Sequence, residues 1–357
     1  MTSPDDVTQR RSSIAMIILA TLAVTYSVAL ARPILLPLVL AFLCKLALRP
    51  GLSWLERRGM TTVFAALLVM MGVVACGVYG MYRLSDPAAA WIERLPDDLR
   101  RARDRLFDAG GGVSVQLKNV KEVSDVVADM GKVGPGSEPL EVAVVNQRPA
   151  FALLGGVWEV AASIGIVLVL TFFMLTTRGA FLSKIIDSTS SRERGLAVVS
   201  LARSIEASLT RYMFSIVVIN VALGACVALI CAATGLPNAI LWGVVAAIAN
   251  FVPYVGALVG ICLLAVVGLS TYPTVASGLM PAGLYAILTV VEGAVITPII
   301  VGHRLKLSPV VLFVWLLLLG WLWGIPGALI AVPLLVVCKV TCEHLPRLQW
   351  LARFLET

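Results

Sequence analysis

The chain reads as an all-α polytopic membrane protein: about six full spans, two Pro/Gly-broken segments and a small α-helical extramembrane insert. Three observations carry that reading. Hydrophobic residues make up 59% of the 357 residues and charged ones 14%, with mean hydropathy +0.94, a balance that belongs to membrane proteins rather than soluble domains. Apolar runs of span length recur, separated by short basic connections. Two longer apolar segments, Pro237–Leu269 and Pro309–Val340, break in the middle and then resume in nearly the same text. Gly256-Ala257-Leu258-Val259 follows the first break and Gly327-Ala328-Leu329-Ile330 the second, 71 positions on, and Leu263-Leu264 and Leu334-Leu335 keep that offset.

The amino-terminal block, 1–82, opens with a polar tail ending in Arg10-Arg11. Ile14–Leu30 is the first span, and Ala29-Leu30-Ala31 after it has the small-residue look of a signal-peptidase site. A retained Ile14–Leu30 anchors the amino terminus inside. Ile34–Leu48 is a second, shorter span, and Arg49–Met60, with Arg49, Arg57 and Arg58 against Glu56, is a cytoplasmic connection. Thr61–Tyr82 crosses back out.

The block 83–149 changes character. Of the 21 acidic residues in the chain, 11 lie here beside 10 basic ones, so the net charge of +7 comes from short connections and tails elsewhere. That is the orientation signal of a membrane protein, and no nucleic-acid partner is needed to explain it. Pro87–Ala109 has the spacing of an amphipathic helix with Trp91, Ile92, Leu95, Leu99 and Leu106 on one face. Val115–Met130 is a weaker helix and Gly131–Pro149 a loop. The insert is a spacer, an oligomer contact or a ligand-binding unit.

The remaining block, 150–357, holds the transport core. Phe151–Thr177 is the fourth span, with Glu159 near its outer end. Arg178–Tyr212 is basic and partly amphipathic, which predicts a helix lying near the headgroups. Met213–Ala233 is the fifth span and carries Asn220. Each arm beside a break is roughly 13–16 residues, short of the ~20 that a straight span needs. The broken segments are therefore helical hairpins that dip in and return, broken helices, or ordinary kinked ones. If the first crossed fully, His303-Arg304-Leu305-Lys306 would land outside, against the positive-inside bias. If both return, every basic connection and both termini are cytoplasmic, Ser277–Ile300 is the sixth span, and the two hairpins enter from opposite faces with tips that meet. Interrupted backbone at membrane depth is tolerated where it is buried in protein or lines a cavity.

The candidate solute- or ion-binding residues cluster at these interruptions: Asn250, Pro253, Tyr254 and Gly256 at the first, Gly324, Pro326 and Gly327 at the second, and Glu292, Thr297 and Pro298 in Ser277–Ile300. Glu292 is the one carboxylate deep in the second half. It is a proton or cation site, a solute acceptor, or a protonated group bonded to a neighbouring helix. Asn250 and Tyr254 contact solute or cap freed backbone. Thr297-Pro298 frees carbonyls in the preceding turn, because proline lacks a donor. Gly256-x-x-x-Gly260 and Gly320-x-x-x-Gly324 have the spacing of close helix packing. Trp315, Trp321 and Trp323 are interface anchors or, for the latter two, pocket walls. The seven cysteines, without a C-x-x-C pair and with two histidines in the chain, predict packing rather than zinc or a disulfide framework. No metal or cofactor is expected. No G-x-x-x-x-G-K-[ST], H-E-x-x-H or G-x-S-x-G occurs, so the expectation is a non-enzyme driven by a gradient or a partner.

At Asn250–Gly256, Glu292-Gly293, Thr297–Gly302, Leu307-Ser308-Pro309 and, most specifically, Leu322–Pro333, the chain resembles the AI-2E family of bacterial membrane transporters, the autoinducer-2 exporter family. The likeness extends to Leu55–Gly59 and Arg211-Tyr212. It implies a multi-pass inner-membrane protein with a soluble insert after the third span, acting as a homo-oligomer on a small polar solute or a monovalent cation. Members are described as exporters of the quorum-sensing signal autoinducer-2, others as sodium/proton antiporters. Three functions follow as expectations: a secondary exporter of a small polar solute, a cation/proton antiporter through Glu292, and a non-transporting scaffold acting through its insert.

Overall fold

A computed structural model describes residues 16, 19–109, 150–177, 192–301, 308–344 and 348–355. Among them every regular element is helical. The helices are α1 (Leu19–Leu30), α2 (Arg32–Arg57), α3 (Thr62–Ala109), α4 (Ala150–Thr176), α5 (Arg192–Thr234), α6 (Ala239–Ala249), α7 (Val255–Thr271) and α8 (Val275–Val291). A π-helical turn, Glu292–Ile296, leads from α8 into α9 (Thr297–Val301). Then come α10 (Pro309–Trp323), α11 (Ile325–His344) and α12 (Gln349–Leu355). In their described residues the six expected spans are helical, the sixth through α8, the π-helical turn and α9, and the chain is an all-α polytopic membrane protein. Among the described residues, five helices are long and apolar enough to cross a bilayer by length and composition. Their outward faces carry Val63, Phe64, Leu67, Met71, Val74 and Val78 on α3 alone, a surface that water would penalise and lipid accepts.

Three boundaries differ from the expectation, all in the same sense. The second span does not stop at Leu48; α2 runs on through Pro50 to Arg57, and only residues 58–61 separate it from α3. The third span and the amphipathic stretch after it are one helix of 48 residues, about 72 Å long. Residues 192–212 continue unbroken into the fifth span as α5, instead of forming a separate helix on the surface. Hydropathy marks where the solvent changes, whereas a helix ends only where its backbone bonds are interrupted. The connection with His303–Lys306, the insert segments Val115–Met130 and Gly131–Pro149, and the tail Met1–Ser13 lie outside the described residues.

The helices group into two compact units, each assembled from separate stretches of chain. One comprises Met1–Ala75, Glu159–Val217 and Ile299–Thr357, the other Cys76–Trp158 and Val218–Pro298. In the first, α2, α5, α10 and α11 share a core of Leu46, Leu209, Met213, Leu312, Leu335 and Val336. In the second, α5, α6, α7 and α8 bury Leu223, Val227, Trp242, Leu264 and Tyr285.

The packed face of α3 in the second unit matches the expected one only at Trp91 and Leu95. Ile92, Leu99 and Leu106 are exposed, and Trp91, Leu95, Asp98, Ala102 and Arg105 turn inward at spacings of three and four. Trp91 meets Trp242 edge-on at 5.1 Å. Arg105 donates to the carbonyl of Leu269 in the last turn of α7, where orphan carbonyls and the helix dipole favour a cation. All seven cysteines are free; Cys231 and Cys342 are buried, while Cys44, Cys76, Cys226 and Cys262 face outward.

Candidate functional site

The second broken segment is a closed helical hairpin. Gly324, at φ 71° and ψ −151°, is its single turning residue, and the first turn of α11 holds Pro326, a position that proline tolerates. The indole Nε1–H of Trp315 donates to the Ala331 carbonyl at 3.0 Å. In a continuous helix those two residues would stand about 24 Å apart, so the chain folds back on itself. Gly327 sits where a Cβ would come within 2.1 Å of the Leu319 carbonyl oxygen. Trp323 is buried and donates to Val28, while Trp321 is the outward-facing tryptophan.

The first broken segment turns through Asn250–Tyr254 between α6 and α7. Its tightest point is the Val255 N–H, which donates to the Pro253 carbonyl at 2.7 Å across Tyr254 at φ 62° and ψ −53°. That is the strained form of the γ-turn, rare for a residue with a side chain. Gly256 then presses on α6, where a Cβ would lie 1.7 Å from the Ala249 carbonyl oxygen. Gly256 and Gly327, matched by the 71-residue offset, thus do the same job. Fewer peptide groups are orphaned than interruption alone would suggest: the N–H groups of Asn250, Phe251, Val252, Val255 and Gly256 all donate within the turn.

Polar side chains collect beside this turn within the second unit. Asn250 Nδ2 donates to Asn220 Oδ1 at 2.9 Å, and Asn220 is buried on α5. The Asn220 Nδ2 group and the hydroxyl of the wholly buried Tyr285 have no hydrogen-bond partner among the described residues. Each such group carries a desolvation cost of about 1–3 kcal/mol.

Close contacts fix the register of α7 against α8, and Glu292 follows α8 directly. A Cβ on Gly268 would meet the Gly278 carbonyl at 2.0 Å, and one on Gly260 would meet the Tyr285 ring at 2.7 Å. These antiparallel helices therefore pair residue for residue along their shared length. Thr297 donates its hydroxyl to Glu292 Oε1, and its backbone N–H bonds to the Glu292 carbonyl across the π-helical turn. Pro298, lacking an N–H, follows directly; widening the turn ahead of it is one of the ways a helix accommodates the ring.

Of the ten expected site residues, Asn250, Pro253, Tyr254, Gly256, Glu292, Thr297 and Pro298 belong to the second unit, and Gly324, Pro326 and Gly327 to the first. Sequence reasoning noted Asn220 only as part of a span and passed over Tyr285. The signal for both was present: Asn220 is an amide in an apolar span, and Tyr285 precedes Glu292 by two helical turns.

A bundle of apolar helices that keeps a strained turn and unpaired buried polar groups beside a carboxylate is the build of a membrane transporter rather than of an inert anchor. The family described as AI-2E family transporter matches residues 14–347, and the chain belongs to it. It is 24% identical over 315 residues to "Putative transport protein YhhT" of Escherichia coli (strain K12), covering 88% of this chain and 85% of that one. "Putative transport protein YrrI" of Bacillus subtilis (strain 168) is 26% identical over 333 residues, 89% of this chain and 88% of the relative. AI-2 transport protein TqsA of Escherichia coli (strain K12) is 28% identical over 192 residues, about half of each chain at 51% and 52%.

Proposed function

We propose that this transporter is a gradient-driven exporter of a small polar solute such as autoinducer-2, and that the solute binds beside the first hairpin turn. The observation that carries the reading is the pair of buried, unpartnered donors, Asn220 Nδ2 and the Tyr285 hydroxyl, in the unit that holds the strained turn and Glu292. An oxygen-rich solute would offer the acceptors these donors lack. Asn250 orients Asn220, Tyr254 covers the turn, and Glu292, steadied by Thr297 and Pro298, accepts from solute hydroxyls. Gly324, Pro326 and Gly327 shape the second hairpin and act on transport through it. The protein works in the bacterial inner membrane as a homo-oligomer with cytoplasmic termini, both hairpins being re-entrant.

The test is efflux of autoinducer-2 from proteoliposomes by wild type and Tyr285→Phe. Removing an unpaired hydroxyl leaves stability unchanged or raises it slightly. Efflux falls about tenfold if that hydroxyl binds solute, and unchanged efflux refutes the site. A second reading, cation/proton antiport, draws support from the carboxylate–hydroxyl pair of Glu292 and Thr297. Sodium-dependent proton movement abolished in Glu292→Gln, with signal efflux intact, selects it.

A further inference from the structure

The first unit contains a second polar site, unrelated to either hairpin. A cavity of about 1180 Å³ opens among α2, the end of α4 and the Val199–Phe214 stretch of α5. Its ionisable lining is Lys45, Arg49 and Glu56 from α2 with Arg203, Glu206 and Arg211 from α5, four cations against two carboxylates. Spacings of three and four set Arg203, Glu206 and Thr210 on one face of α5, and Lys45 and Arg49 stand one turn apart on α2. Two polar faces of otherwise apolar helices thus meet across the cavity.

The charges are unevenly satisfied. A single oxygen, Glu206 Oε1, takes both Lys45 Nζ at 2.9 Å and Arg49. Neither Arg203 nor Arg211 meets a carboxylate among the described residues, although both line the cavity. Thr210 lines it too, and its hydroxyl is buried beside the cavity without a hydrogen-bond partner among the described residues. Surplus positive charge around a recess, with the guanidinium forks of the exposed Arg203 and Arg211 and an unused hydroxyl, is chemistry that recognises a phosphate group. Arg49, Arg203 and Arg211 belong to the stretches that the positive-inside bias assigns to the cytoplasm.

We infer that this cavity binds a phosphate-bearing anion through Arg203, Arg211 and Thr210, with the Lys45–Glu206–Arg49 cluster setting the back wall. A phospholipid headgroup and a soluble phosphate compound present the same chemistry, and basic recesses between spans take lipid headgroups readily. The inference stands apart from the solute site at the first hairpin.

The experiment uses the full chain in phosphatidylcholine nanodiscs, titrated with inorganic phosphate in one arm and reconstituted with increasing phosphatidylglycerol in the other. Thermal unfolding and native mass spectrometry are the readouts. Wild type is stabilised by at least one probe. Arg203→Gln combined with Arg211→Gln binds that probe about tenfold more weakly or worse, as losing hydrogen bonds between charged groups predicts. Thr210→Val, which removes only an unpaired hydroxyl, weakens binding several-fold at unchanged basal stability and covers the case in which the arginine variant fails to fold. Arg100→Gln with Arg103→Gln, exposed on α3, behaves as wild type. A response to phosphatidylglycerol alone identifies the lipid headgroup, and a response to inorganic phosphate identifies a soluble ligand. The inference is overturned if neither probe stabilises wild type, or if the cavity variants respond as wild type does.

Discussion

The first hairpin turns through a tyrosine at φ 62°, the second through a glycine at φ 71°. Glycine takes positive φ without strain, whereas a residue with a Cβ held in such a region costs on the order of 1–3 kcal/mol. The second turn is closed by apolar packing and one indole–carbonyl bond; the first keeps an amide pair and a strained γ-turn, in the unit that also holds Glu292. Two segments with a common text have therefore been put to different uses. The second solves a folding problem, and the first retains features that folding alone does not require.

Substitutions can sharpen or break that contrast. The largest effect is expected where the two agree: Gly256→Val and Gly327→Val each drive a side chain into a carbonyl oxygen of the preceding arm. Each should lower unfolding stability by about 3 kcal/mol or more, the upper end of overpacking costs, as read from thermal unfolding in detergent. If one tolerates valine, the shared geometry of the two turns is wrong. Asn250→Leu comes next. It strips Asn220 of its partner, costs about 1–3 kcal/mol and should cut efflux at least tenfold. Trp315→Phe is its counterpart in the second hairpin: loss of the Ala331 bond costs about 1 kcal/mol, and efflux per folded protein should stay near wild type. Equal efflux defects in these two variants would erase the distinction. The smallest effect is Tyr254→Gly, which relieves the γ-turn and should stabilise by about 1 kcal/mol, glycine entropy offsetting part of the gain. A stability loss there would mean that the phenol, not the backbone, decides the turn.

Much of this was legible in the residues. The 71-residue offset pointed to Gly256 and Gly327 as equivalent, and both prove to sit against a carbonyl of the preceding arm. Asn250, Glu292 and Thr297 stood out as polar groups in apolar text, and two hydrogen bonds join them to partners, Asn250 to Asn220 and Thr297 to Glu292. The inward face of α3 was legible only in part. Its hydrophobic pattern favoured Trp91, Ile92, Leu95, Leu99 and Leu106; Trp91 and Leu95 do turn inward, but Ile92, Leu99 and Leu106 are exposed and the helix buries Asp98 and Ala102 instead. Nor did any local pattern show that Lys45 on α2 and Glu206 on α5, 161 positions apart, would share one cavity.

By itself the sequence determined the solvent of each segment, since the free energy of placing a residue in hydrocarbon or water depends on that residue and its neighbours along the helix. It also marked the two places where the backbone must turn, because glycine and proline act on their own φ and their own hydrogen bonds. Only the tertiary structure decided which buried polar atoms find partners and which do not. That outcome depends on the register of one helix against another, fixed here by close contacts at Gly260 and Gly268 in the middle of apolar text.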